Sequence, residues 1–165
     1  MRHECHANIS DEMKWVDEFC REAEAKGLPC RVLNRVNGWP ETVKAGGRLC
    51  YSKSVSYNFE RGLYFIGVDP KRLAEAGERA LLCGGAVGEL QDIFVIAWTS
   101  FVETVRQGEA LNTYKPPREY WQYKFKIKGE GRSWVMSVQG GRNPELDVTR
   151  WRYGIAEAIE HLKSH

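Results

Sequence analysis

The chain has 165 residues, 42% hydrophobic and 28% charged, with a formal net charge of +2. Those proportions suit a globular protein able to build its own core, and they exclude a chain whose overall field would announce nucleic acid by itself. No apolar run approaches the ~18 residues needed to span a bilayer, and MRHECHANIS lacks the apolar core of a signal peptide, so a soluble cytoplasmic protein with no membrane partner is expected.

Charge is unevenly distributed. Residues 1–30 hold four basic and seven acidic side chains, whereas 111–153 hold nine basic against four acidic. Such asymmetry is what a one-sided binding surface produces. The five cysteines are odd in number and form no CxxC, which favours reduced thiols over a disulfide framework.

His3, Cys5 and His6 open the chain but are too cramped, with no second Cys/His pair at a typical interval, to predict a metal site. Ser10 suits a helix cap ahead of Met13, Val16, Phe19, Cys20 and Ala23, which recur at three to four residues until Gly27 and Pro29. This amphipathic helix, acidic on its outer side, is expected to cover a sheet face or a barrel opening. Cys30 to Val36 reads as a strand, 37–40 as a turn, and Arg48 to Tyr51 as a short strand after the interruption at Gly46-Gly47. The polar stretch from Ser52 to Gly62 reads as a loop or an irregular edge strand. Leu63 to Val68 reads as a buried strand, followed by a short helix or turn from Asp69 through Ala76. Arg79 to Cys83 and Ile93 to Trp98 are further apolar strands, and a helix from Phe101 to Gln107, ended by Gly108, follows the second.

The strongest pattern begins at Trp121. Trp121, Tyr123, Phe125 and Ile127 alternate strictly with Gln122, Lys124, Lys126 and Lys128, which predicts a strand with one oily and one basic face. Gly129-Glu130-Gly131 suits a turn, and Trp134, Met136 and Val138 share a face of the return strand. Asp147 is placed to cap a short segment through Trp151, and a last helix is expected over Gly154 to Leu162. About seven short strands with helices at both ends and in the middle predict an α+β fold. Its sheet should be mostly antiparallel and curved, or an open β-barrel, in a single domain over 1–165. That domain has a helix-led part over 1–60 and a barrel-like core over 60–155.

Chemistry is sparsely marked. Gln122-Tyr123-Lys124 has the form of the E/QxK triplet of a PD-(D/E)xK nuclease, with Asp92, or else Asp69 in GVDP, as the preceding acid and Mg²⁺ as the required ion. A helix and loop separate Asp92 from Gln122 where a direct hairpin is expected. Cys83 has no histidine near it in sequence, and CGGAVGE lacks the GxGxxG spacing, so neither a thiol nucleophile nor a dinucleotide site is predicted. No cofactor is expected. Tyr57, Phe59, Tyr114 and Trp39, in loop-like contexts, are the candidates for stacking on an exposed base.

The order LYFIGVD, short helix, ALLCGG, DIFVIAW, helix, YWQYKFKI, SWVMSV, ELDVTRW resembles the specificity domains of some restriction enzymes. Those are seven-stranded open pseudobarrels akin to the DNA-binding domains of a large class of plant transcription factors. The resemblance covers roughly 60–155 and lies in strand order rather than in a specific motif; the first 60 residues have no counterpart in it. It implies a DNA duplex, rather than a single strand, held in a concave sheet, in a restriction or defence context, with no catalytic residues. In that reading Lys124, Lys126 and Lys128 hold phosphates, Lys115 and Arg118 flank them, and Arg142 and Asn143 reach base edges. A Mg²⁺-dependent nuclease using Asp92, Gln122 and Lys124 is the second expectation. A protein-interaction domain whose lysines only keep a sheet soluble is the third.

Overall fold

The computed structural model describes residues 9–36, 39–58, 60–68, 79–84, 92–111, 123–139 and 142–164. Helix α1 (Ile9–Ala25) is followed by strands β1 (Cys30–Val36), β2 (Trp39–Ala45), β3 (Arg48–Asn58), β4 (Leu63–Val68), β5 (Arg79–Gly84) and β6 (Asp92–Ala97). Helix α2 (Trp98–Leu111) precedes β7 (Tyr123–Glu130), β8 (Ser133–Val138) and β9 (Glu145–Asp147). A 3-10 turn (Thr149–Trp151), β10 (Arg152–Tyr153) and α3 (Ile155–Ser164) complete the chain. The fold is α+β with curved, mostly antiparallel sheets that do not close into a barrel. Among the described residues the exception to antiparallel pairing is β3 with β5, which run parallel from Cys50↔Arg79 to Val55↔Gly84.

Among the described residues ten strands form where about seven were expected. Thr42–Ala45 pairs with Arg48–Tyr51, leaving Gly46 and Gly47 as a two-residue hairpin loop with φ of +58° and +87°. Positive φ at both central residues is the demand of a tight primed turn, and glycine meets it without steric cost. What reads in sequence as an interruption is thus the joint of a hairpin. The polar stretch after Tyr51 is not a loop: β3 runs unbroken to Asn58 because its residues are claimed by partners on several sides. Its first part pairs with β2 and β5, and Ser56 to Asn58 pair with β4.

Strand β3 therefore belongs to two sheets. The first is ordered β1-β2-β3-β5-β6-β10 and the second β3-β4-β7-β8-β9. The 3-10 turn carries the chain from β9, at the edge of the second sheet, to β10, at the edge of the first. Asp147 accepts hydrogen bonds from the Thr149 backbone N–H (2.9 Å) and hydroxyl (2.5 Å), but the N-cap of the turn is Val148, which makes no side-chain cap bond, so Asp147 sits one residue before the capping position expected of it.

Two apolar layers result. α1 and α3 lie on one face of the first sheet, burying Val16, Phe19, Ala23, Ala158, Ile159 and Leu162 against Val43, Cys50, Ile93 and Val95. α1 ends in a Schellman arrangement, with Leu28 N–H donating to the Ala23 carbonyl and Gly27 N–H to that of Glu24. The second layer lies between the two sheets and contains Tyr51, Val55, Tyr64, Ile66, Phe94, Ile96, Phe125, Ile127 and Met136.

Helix α2 contributes Phe101 and Val105 to this interior. It starts three residues earlier than expected and continues past Gly108. That glycine does not stop the helix: a Cβ there would stand 2.6 Å from Cζ of Phe125, so the position is one of close approach between helix and sheet. The short helix expected over 69–76 lies outside the described residues.

Candidate nucleic-acid interface

Strand β7 is antiparallel to β4 on one side and β8 on the other. Tyr123, Phe125 and Ile127 enter the interior and are at most 2% exposed, so Lys124, Lys126 and Lys128 must project from the opposite face. Lys124 and Lys128 are exposed and Lys126 is half-buried. At ~3.3 Å per residue, successive lysines stand about 6.6 Å apart. The hairpin turn is narrower than the sequence suggests. Glu130 pairs with Ser133, so Gly131 and Arg132 form the loop, with Gly131 at φ +63°. Gly129 instead belongs to β7 and leaves room for the Trp134 indole, whose ring lies 3.4 Å from where its Cβ would be.

Directly paired residues on neighbouring strands share a sheet face. Lys128 pairs with Leu63 and Val135, Lys126 with Phe65 and Ser137, and Lys124 with Gly67. The lysines therefore do not stand on a uniformly polar surface. Arg61, Leu63, Phe65, Lys126, Lys128 and Gln139 line a shallow groove of about 340 Å³ with cationic walls and a partly apolar floor. Arg61, in the β3–β4 turn, and Phe65 are functional candidates that the sequence reading passed over. Neither carries a motif, and their place beside the lysines depends on the pairing of β4 with β7.

Carboxylates border this surface. By register Glu145 and Asp147 of β9 lie on the same face, beyond β8. Arg142 is brought there too, but it is engaged: its guanidinium donates to both carboxylate oxygens of Glu130 (2.7 and 2.8 Å) and contacts Glu145 at 3.1 Å. This fork ties β7 to β9 across β8. Arg142 is a base-reading candidate only if a nucleic acid draws it away from these partners. Asn143 is exposed beside it.

The remaining candidates do not assemble. Asp92 is buried and turned inward: its Oδ2 accepts from the Tyr64 hydroxyl (2.6 Å), and its Oδ1 accepts from Nε of Arg152 (2.7 Å). Arg152 lies 4.6 Å over the Trp134 ring. Burial, followed by the hydrogen bond to Asp92 and its charge, pushes the Tyr64 hydroxyl well above the ordinary phenol range. This cluster joins β4, β6, β8 and β10. Lys124 projects from the outer face of the other sheet, so the structure does not bring Asp92 and Lys124 together.

Tyr57 is not in a loop. It belongs to β3, pairs with Tyr64 and packs edge-on against that ring at 4.9 Å, so its aromatic face serves the core. Trp39 is placed in β2. Phe59, Tyr114, Lys115, Arg118 and Gln122 lie outside the described residues, as do His3, Cys5 and His6.

Among the described residues no cluster of three or more His, Cys, Asp or Glu side chains is arranged to hold a metal ion. Among them, too, no helix is long and apolar enough to cross a membrane. Compared with protein-family models, with curated proteins and with solved structures, the chain matches none.

Proposed function

We propose that the outer face of the second sheet binds nucleic acid, duplex DNA foremost, in the manner of a non-enzymatic recognition module of restriction type. The observation that carries this reading is the column formed by Lys124, Lys126 and Lys128, set beside a groove to which Arg61 adds a fourth cation and Phe65 an apolar floor. Lysine ammonium groups suit phosphate oxygens as point charges and read no sequence. Phe65 supplies a surface against which a sugar or base edge can rest. Release of condensed counterions from the phosphates is the driving force, so affinity must fall steeply with salt.

The test is fluorescence anisotropy of labelled duplex and single-stranded DNA at low and moderate salt, in EDTA and in Mg²⁺. Binding in EDTA that weakens steeply with salt, and more tightly to duplex, is the expected result. Cleavage in Mg²⁺ overturns the non-enzymatic reading. Absence of binding at every salt concentration overturns nucleic-acid binding altogether and leaves a protein-interaction domain.

A further inference from the structure

Far from the lysine face, α1 and β1 bring two cysteines together. Cys20 lies in the last turns of α1 and Cys30 is the first residue of β1, on either side of the turn that reverses the chain. The Cys30 thiol donates to Sγ of Cys20 at a sulfur–sulfur distance of 3.1 Å. A disulfide has its sulfurs ~2.05 Å apart, so bonding the pair requires closure of about 1 Å. Neither cysteine is in a disulfide.

Both side chains are nearly covered, yet they line a surface depression of about 440 Å³ together with Asp17, Arg21, Glu24, Arg31, Val32 and Arg35. Arg35 is held over it by an ion pair with Asp17 at 2.8 Å. The hydrogen bond from Cys30 holds the Cys20 thiol below its ordinary range, with help from Arg35. Burial and the carboxylates of Asp17 and Glu24 oppose that shift. A thiol with a lowered pKa lining an open depression that also holds arginine side chains is a setting in which cysteine can react as a nucleophile.

We propose that Cys20 and Cys30 form a thiol–disulfide site whose oxidant is a small, carboxylate-bearing disulfide, drawn to the guanidinium groups of Arg21, Arg31 and Arg35. Cys20 Sγ, as thiolate, attacks one sulfur of the small disulfide. A mixed disulfide forms and one small thiolate leaves. Cys30 loses its proton and attacks Cys20 Sγ, expelling the second small thiolate. Two protein thiols become one disulfide, the small disulfide is reduced to two thiols, and the two protons lost by the protein end on them. The new bond fastens α1 to β1 without touching the lysine face.

Full-length protein incubated with graded mixtures of reduced and oxidised glutathione, then acid-quenched, alkylated and peptide-mapped, tests this. A Cys20–Cys30 linked peptide should appear, with the loss of two hydrogens in intact mass. Cys30→Ser, which retains the first nucleophile but not the second, should instead accumulate glutathione on Cys20. Absence of the linked peptide across the whole range, or its formation only in denaturant, overturns the proposal. So does linkage of either residue to a different cysteine. Native-state mapping of the unsubstituted chain is decisive even if the serine variant folds poorly.

Discussion

The two sheets bury their strands differently, and the contrast between β6 and β7 shows how. Strand β6 of the first sheet has α1 and α3 on one side and the interior on the other. Its residues from Asp92 to Ile96 are all buried, with Ile93 and Val95 in the helical layer and Phe94 and Ile96 in the interior. Strand β7 of the second sheet turns Tyr123, Phe125 and Ile127 to the interior, and these buried residues alternate with lysines. The run of apolar residues thus counts the layers packed on a strand. The outer face of β7 carries the exposed Lys124 and Lys128, while Leu63 and Ser137, paired beside the lysines on that face, are buried. Two buried polar side chains of the first sheet differ: Asp92 is bonded to Tyr64 and Arg152, whereas Ser52 Oγ has no hydrogen-bond partner among the described residues.

Substitutions can break this contrast. Phe94→Ala removes a fully buried ring from the doubly covered sheet and should cost about 3–5 kcal/mol in chemical denaturation. A loss below about 1 kcal/mol, on the scale of surface substitutions, would mean that β6 is not covered on its inner side.

Two changes probe the interior shared by the sheets, each expected to cost about 1–3 kcal/mol in the same assay. Gly108→Ala forces a methyl group against Phe125. Asp92→Ala leaves the Tyr64 hydroxyl without its acceptor and Arg152 without its carboxylate. A neutral Asp92→Ala would show that the inward carboxylate contributes nothing to joining the four strands.

The outer face should respond in the opposite sense. Replacing Lys124, Lys126 and Lys128 together by Gln should change stability by no more than about 0.5 kcal/mol. It should also flatten the dependence of log affinity on log salt by about 0.9 for each phosphate that is no longer neutralised. Lys124→Ala should weaken all DNA sequences alike, whereas Arg142→Ala should change the ranking among them. Identical behaviour of the two in competition binding would remove Arg142 from base recognition.

The smallest effect expected is at the sheet's edge. Hydrogen bonds from the Thr149 hydroxyl and backbone N–H hold the Asp147 carboxyl below its ordinary range. A depressed carboxyl stabilises the folded chain above its unfolded pKa, near 3.8, and that stabilisation is lost as pH falls through the lower folded value. Asp147→Asn should flatten the acid limb of a melting-temperature profile and leave the neutral limb nearly unchanged.

Much of this was legible in the chain. The period of two in Tyr123 to Lys128 announced both strand and faces, and the apolar run at Ile93 announced burial, because side-chain alternation is a local property of an extended backbone. Helices α1 and α3 were legible for the same reason at a period of 3.6. Where local pattern and long-range pairing diverged, the reading failed. Ser52 to Asn58 reads by composition as either a loop or an irregular edge strand, and pairing with β5 and β4 decides for the strand. Gly108 looks like a helix end and is the point where α2 meets a strand that follows later in the chain.

The sequence by itself determined that a basic, one-sided hairpin exists. Only the tertiary structure decided its neighbours. Phe65 meets Lys126 across about sixty residues of chain, Arg142 is tied to Glu130 and Glu145, and Asp92 faces Tyr64 and Arg152 instead of Lys124. Alternation reports which face a side chain takes. Which strand lies beside it follows from pairing and packing summed over the whole chain, and no short segment holds that information.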